Sequence, residues 1–180
     1  MDSAAGKKPF ELLLELESRG RAAMLGRTES SDVDEWTGIA FRLGEDRFAV
    51  ARDEIREVRE LPPLTRVPGA KPWLLGIANI RGQLTPVADL NAFLTGVTTT
   101  PERHSRVLIV NHRDIPAGLL VDEVYGFRRF AVAEYGPLSA DVPGSIRSYV
   151  RGECSRDAES WPVFDFRDLV ESNAFMQVAE

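Results

Sequence analysis

From Trp36 onward, apolar and polar residues alternate with the two-residue period of a strand buried on one face. Ile39, Phe41 and Leu43 share a face, Gly44-Glu45-Asp46 supplies turn residues, and Phe48 and Val50 resume the pattern, which predicts a β-hairpin. Ahead of this the period is helical. Leu12, Leu13, Leu16, Ala23 and Met24 fall on one arc of a helix over residues 10–25, with Glu11, Glu15 and Arg19 facing away and Pro9 and Gly26 suited to its ends. Residues 27–35 are short and polar and read as a linker, so the globular part is expected to start near Trp36.

After the hairpin, Asp53 to Arg59 predicts a turn of helix or a third strand, before Pro62, Pro63 and Pro68 break regular structure. Leu74 to Ile80 and Leu84 to Val87 read as strands joined at Arg81-Gly82-Gln83, where Gly82 supplies the positive φ of a tight turn. Asp89 suits the N-cap of a short helix from Leu90 to Leu94, and Gly96 its end. Further strands are predicted over Val107 to Val110, Ile115 to Val121, Tyr149 to Gly152 and Trp161 to Phe164, with a last helix from Arg167 to Glu171. Many short strands with turns between them indicate barrels or sandwiches rather than a parallel sheet.

Two stretches echo each other. Pro86-Val87-Ala88-Asp89-Leu90 matches Pro162-Val163-Phe164-Asp165-Phe166, and Asp53 to Arg59 follows the first hairpin as Asp122 to Arg128 follows the hairpin of the second half. Two similar half-barrel units are the natural reading, with Arg156 to Ser160 standing in the second copy where the Asn79 to Gly82 turn stands in the first.

Composition narrows the class. A chain of 180 residues with 43% hydrophobic residues buries roughly 70% of its unfolded surface, so its core needs neither metal nor disulfide. Cys154 stands alone, the first twenty residues lack an uninterrupted apolar stretch, and no run approaches the ~20 apolar residues of a membrane span, so a cytoplasmic protein without membrane insertion is expected. A net charge of −6 disfavours nucleic acid as a partner, although Arg128-Arg129 is a local basic pair.

Catalytic chemistry is not visible. The chain has no phosphate-cradling or dinucleotide glycine motif, no nucleophile elbow and no ligand spacing for a metal, so no catalytic residue, cofactor or metal is assigned. His104 and His112 read as solvated loop histidines, and Asp53, Glu54, Glu57 and Glu60, interleaved with Arg52, Arg56 and Arg59, read as a charge-balanced exposed face. Arg81 stands out, because a long cation at the tip of a tight turn neither packs a core nor helps the turn form. It is free to meet a carboxylate, and Glu57 is a plausible neighbour within the chain.

The run Leu75-Gly76-Ile77-Ala78-Asn79-Ile80-Arg81-Gly82-Gln83-Leu84-Thr85-Pro86-Val87-Ala88-Asp89-Leu90 resembles the signature of the CheW family of chemotaxis adaptors. Phe41 to Gly44, Glu57 to Arg59, Val107 to Val110 and Gly118 to Val124 follow in the family's order over residues 36–172. Pro9 to Leu13, Trp36 to Ile39, Pro68 to Trp73 and Gly118 to Gly126 are similar to the family's adaptors of type IV pilus twitching systems.

The resemblance implies a mostly β fold of two packed SH3-like five-stranded β-barrels with short helices on residues 36–172, an N-terminal helical extension over 1–35 and a tail over 173–180. It implies a non-catalytic adaptor that joins the regulatory domain of a CheA-type histidine kinase to the cytoplasmic tip of methyl-accepting chemoreceptors, with weak self-association allowed. By position it assigns partner binding to Glu57, Val58, Arg59, Asn79, Arg81 and Gly82. A flagellar chemotaxis adaptor and a stand-alone peptide-binding barrel stand beside this as alternatives.

Overall fold

A computed structural model describes residues 35–139, 142–156 and 158–178, so the helix expected over residues 10–25 and most of its linker lie outside the described residues. Its strands are β1 (Glu35–Leu43), β2 (Asp46–Ala51), β3 (Ile55–Arg59), β4 (Leu74–Ile80), β5 (Gln83–Asp89), β6 (Arg106–Val110), β7 (Gly118–Val121), β8 (Glu123–Ala131), β9 (Tyr135–Gly136), β10 (Val150–Arg156) and β11 (Glu159–Phe164). The helices are short: α1 (Leu90–Thr95), α2 (Gly144–Arg147), α3 (Phe166–Glu171) and α4 (Asn173–Met176).

The strands form two sheets, in the orders β8-β1-β2-β11-β10-β9 and β3-β6-β7-β5-β4. The second has the five strands expected. The first has a sixth, the two-residue β9. Phe130 on β8 and Trp161 on β11 have ring centroids 6.4 Å apart, although about 14 Å of flat sheet would separate strands three places apart. The first sheet therefore curls into a barrel. In the second, Thr65 bridges to Ile77, bringing the chain that leaves β3 onto the outer edge of β4.

The duplication is real, but its copies do not form separate barrels. Each unit is a hairpin, a crossing strand, a second hairpin and a helix: β1–β2, β3, β4–β5, α1, and then β6–β7, β8, β10–β11, α3. The crossing strands are exchanged. β3 leaves the β1–β2 hairpin to pair with β6, and β8 leaves β6–β7 to pair with β1. The two parallel pairings, β2 with β11 and β7 with β5, occupy equivalent places. The first and last hairpins thus share one barrel and the middle of the chain makes the other. Each of the two similar units thus contributes strands to both barrels, because sheet membership is decided by packing between segments far apart in sequence.

Burial of successive residues on β1, β2, β6 and β7 means that both faces of these strands are covered. Ala40, Ala49, Phe130, Cys154, Trp161 and Val163 fill the first barrel, and Ala78, Ile80, Val87, Val107, Ile109 and Leu120 fill the second. The alternate residues, among them Ile39, Phe41, Phe48, Leu108, Leu119 and Phe164, meet in a larger cluster between the barrels. Phe175 of α4 stacks on Trp73 in this cluster, so the packed body runs past residue 172.

Local chemistry explains the matching motifs. Asp89 caps α1, accepting from the Ala92 amide at 3.1 Å, and Asp165 caps α3, accepting from the Asp168 amide at 2.8 Å. The exposed charge-balanced face expected around residues 52–60 holds for Arg52, Asp53, Arg56 and Glu60 but fails for Glu54. Arg52–Glu54 is a single 3-10 turn linking β2 to β3, and it carries the Glu54 side chain inward to 4% exposure. There Glu54 Oε2 accepts from the amides of Phe166 (2.7 Å) and Arg167 (3.3 Å) at the start of α3. Burial, reinforced by Asp165, pushes its carboxyl up to about 7.

Candidate partner-binding surface

The β4–β5 turn is built by its own sequence. Arg81 (φ 54°) and Gly82 (φ 84°) are both left-handed between the paired residues Ile80 and Gln83, the pattern of a type I′ hairpin turn. Asn79 Oδ1 accepts from the Gly82 amide at 2.8 Å. Asn79 and Gly82 are therefore turn builders. Arg81 is not, since a left-handed non-glycine residue costs roughly 1–2 kcal/mol and an asparagine or glycine would fit at less cost. Strain held at an exposed cation points to a use for its side chain.

That side chain is 78% exposed, and its Nη2 lies 2.6 Å from Oε2 of Glu57, whose side chain is 15% exposed. The geometry is an ion pair by proximity and not an aligned hydrogen bond. Arg59 Nη1 approaches the other oxygen, Oε1, at 3.4 Å, so two guanidiniums flank one half-buried carboxylate. Beside them, Arg56 Nη1 donates to Gln83 Oε1 at 3.2 Å. Since β3 and β4 are the two edges of the second sheet, these contacts cross the seam of its barrel.

The structure thus brings Glu57, Arg59 and Arg81 together with Asn79 and Gly82 beneath, and confirms the neighbour suggested for Arg81. It does not bring Val58 to them. Strand alternation turns Val58 to the opposite side, where with Ile39, Val124 and Phe127 it lines a groove between the two sheets. Phe127 is 68% exposed there, and Leu84, equally exposed, stands across from Asn79 beside the Arg81 turn. Sequence reasoning passed over both residues. The available signal was an aromatic between Gly126 and Arg128-Arg129, and a leucine directly after a turn.

The remaining candidates are structural. His112 is not a solvated loop histidine: its Nε2 lies 2.9 Å from Glu171 Oε1, and its Nδ1 accepts from the amides of Asp114 and Ile115. That bonding fixes the ring as a tether between a loop and α3. Cys154 is buried in the first barrel, and burial pushes its thiol up to about 12, far from a reactive thiolate. No group of three potential metal ligands is assembled among the described residues, and no helix among them is long and apolar enough to cross a membrane.

Two curled sheets with strands exchanged, a charged seam on one barrel and an apolar groove between them define a two-barrel module. A family model for the CheW-like domain matches residues 37–174. The chain belongs to the CheW family, whose members are non-catalytic scaffolds. It is 35% identical over 172 residues to the protein PilI of Pseudomonas aeruginosa, covering 95% of this chain and 96% of PilI. It is 31% identical over 114 residues to the chemotaxis protein CheW of Rhizobium meliloti, covering 63% of this chain and 74% of that protein. The crystal structure of the scaffolding protein TtCheW from Thermoanaerobacter tengcongensis has the same fold, with a TM-score of 0.68 at 24% identity over 77% of this chain and 94% of that one.

Proposed function

We propose that the chain couples methyl-accepting chemoreceptors to a CheA-type histidine kinase in a chemosensory array, and that the array controls twitching by type IV pili. In this reading it works in the cytoplasm, reaches the membrane only through its receptors, and binds no nucleic acid. The observation that carries it is the strained, exposed Arg81 held against Glu57 across the barrel seam, a charged contact that the turn and the core do not need. Similarity to PilI over nearly the whole chain supports the pilus output.

Arg81, Glu57 and Arg59 form the polar part of the partner surface, Asn79 and Gly82 hold the turn that presents Arg81, and Val58 contributes apolar contact from the groove. A coupling protein gains from having such surfaces on one rigid body, because two partners bound together are held at high effective concentration. The test is reconstitution with the kinase and a receptor fragment. Receptor control of autophosphorylation is expected to require this chain, and Arg81→Glu is expected to weaken co-sedimentation while leaving the fold intact. Equal control without the chain overturns the coupling role, and full binding by folded Arg81→Glu removes Arg81 from the surface.

A further inference from the structure

One mouth of the first barrel is paved with arginines. Arg47, Arg128 and Arg156 occupy inner-face positions on β2, β8 and β10, each two residues from an inner-facing Ala49, Phe130 or Cys154. They gather over aromatic rings. The Arg128 guanidinium lies 4.6 Å from the Trp161 ring centroid and that of Arg47 5.7 Å from it, while Arg156 lies 5.8 Å from Phe130. Trp161 itself is almost wholly buried beneath them.

Two of the three have a carboxylate of their own. Arg47 is paired with Glu159, and Arg156 is held at both ends by Glu134 at 2.6 and 2.8 Å. Hydrogen bonding from Arg156 keeps the Glu134 carboxyl below the usual glutamate range. Arg128 is the exception: it is exposed, and no carboxylate stands within 4 Å of it among the described residues. A guanidinium stacked on an indole keeps its edge free, and that edge is the fork that grips a carboxylate at two points.

We propose that this mouth is a second docking surface, which takes one aspartate or glutamate side chain of an acidic loop on a partner protein, with Arg128 as its anchor. The charge count sets the occupant's chemistry. With two of the three arginines already neutralised, one positive charge remains to be matched, which suits a single carboxylate and not a polyphosphate or nucleic acid. Tyr125, partly exposed and edge-on to Trp161, offers an apolar neighbour, so the loop carries its acid next to an apolar residue. Its arginines lie on strands of the first sheet and Arg81 on a turn of the second, and the proposal does not depend on the coupling role.

The experiment selects a displayed random-peptide library on the full chain, then compares wild type with Arg128→Gln, Arg128→Lys and Arg81→Glu. Selected peptides are expected to share an acidic residue beside an apolar one. They should bind Arg128→Gln at least tenfold more weakly, bind Arg128→Lys in between, and bind Arg81→Glu unchanged. Thermal melting and Trp fluorescence establish that each variant is folded. Peptides without a shared carboxylate, or equal binding by folded Arg128→Gln, overturn the proposal. So does displacement by millimolar inorganic phosphate, which marks a small-anion site, and so does Arg128-dependent self-association in sedimentation, which makes a second copy the occupant.

Discussion

Replacing Glu54 by glutamine tests whether a buried carboxylate at the crossing between barrels works against stability at neutral pH. Its carboxyl sits near 7 in the fold, against 4.5 for an ordinary glutamate, chiefly because burial disfavours the charge and secondarily because Asp165 is close. The folded chain therefore binds more protons than the unfolded chain between about 4.5 and 7, and stability falls as pH rises through that window. The gap corresponds to about 3 kcal/mol once Glu54 is ionised in both states. Below the ordinary glutamate range Glu54 is protonated in both states and contributes no pH dependence. Glutamine stays neutral and keeps an oxygen for the Phe166 and Arg167 amides, while Arg167 retains its 3.0 Å contact with Asp53. Urea unfolding followed by Trp fluorescence should show Glu54→Gln more stable than wild type by up to about 3 kcal/mol at pH 8, with no gain at pH 4. A variant less stable than wild type at pH 8 would refute the reasoning, since it would mean that the ionised carboxylate is a net stabilising cap for α3.

Other substitutions probe the backbone and the thiol. At Gly76 (φ 148°) an added Cβ would lie 2.6 Å from the Thr65 carbonyl oxygen, so Gly76→Ala should destabilise by about 2 kcal/mol or more in chemical denaturation. Asn79→Ala removes the hydrogen bond to the Gly82 amide at an exposed site and should cost only about 0.5–1 kcal/mol by the same assay, while loosening the presentation of Arg81. Cys154 should resist a thiol-reactive dye in the native chain at pH 8 and react at once in denaturant; fast labelling of native protein would contradict its burial.

The features legible in the sequence were those with local causes. The Asp89 and Asp165 caps, the tight turn at Gly82 and the alternating strands each depend on residues within a few positions of one another. The pairing of Arg81 with Glu57 was within reach because each residue marks the end of a recognisable apolar segment. The exchange of β3 and β8 was not, since β3 carries the same alternation whichever sheet receives it. Glu54 looks like its charged neighbours, and the amides that receive it lie more than one hundred residues later, at Phe166 and Arg167. Phe127 was missed for a related reason: an alternating strand predicts two faces without saying that one of them borders a groove.

The exchanged strands also set an order of events on the ribosome. The second barrel has all five of its strands once Val121 has been made, and it can close while the rest of the chain is still emerging. The β1–β2 hairpin is made earlier but finishes later, because its neighbours are β8 and then β11, which ends at Phe164. Until then its open edge must be kept from foreign strands, so translation that stalls between β7 and β11 should leave a half-finished chain prone to aggregation.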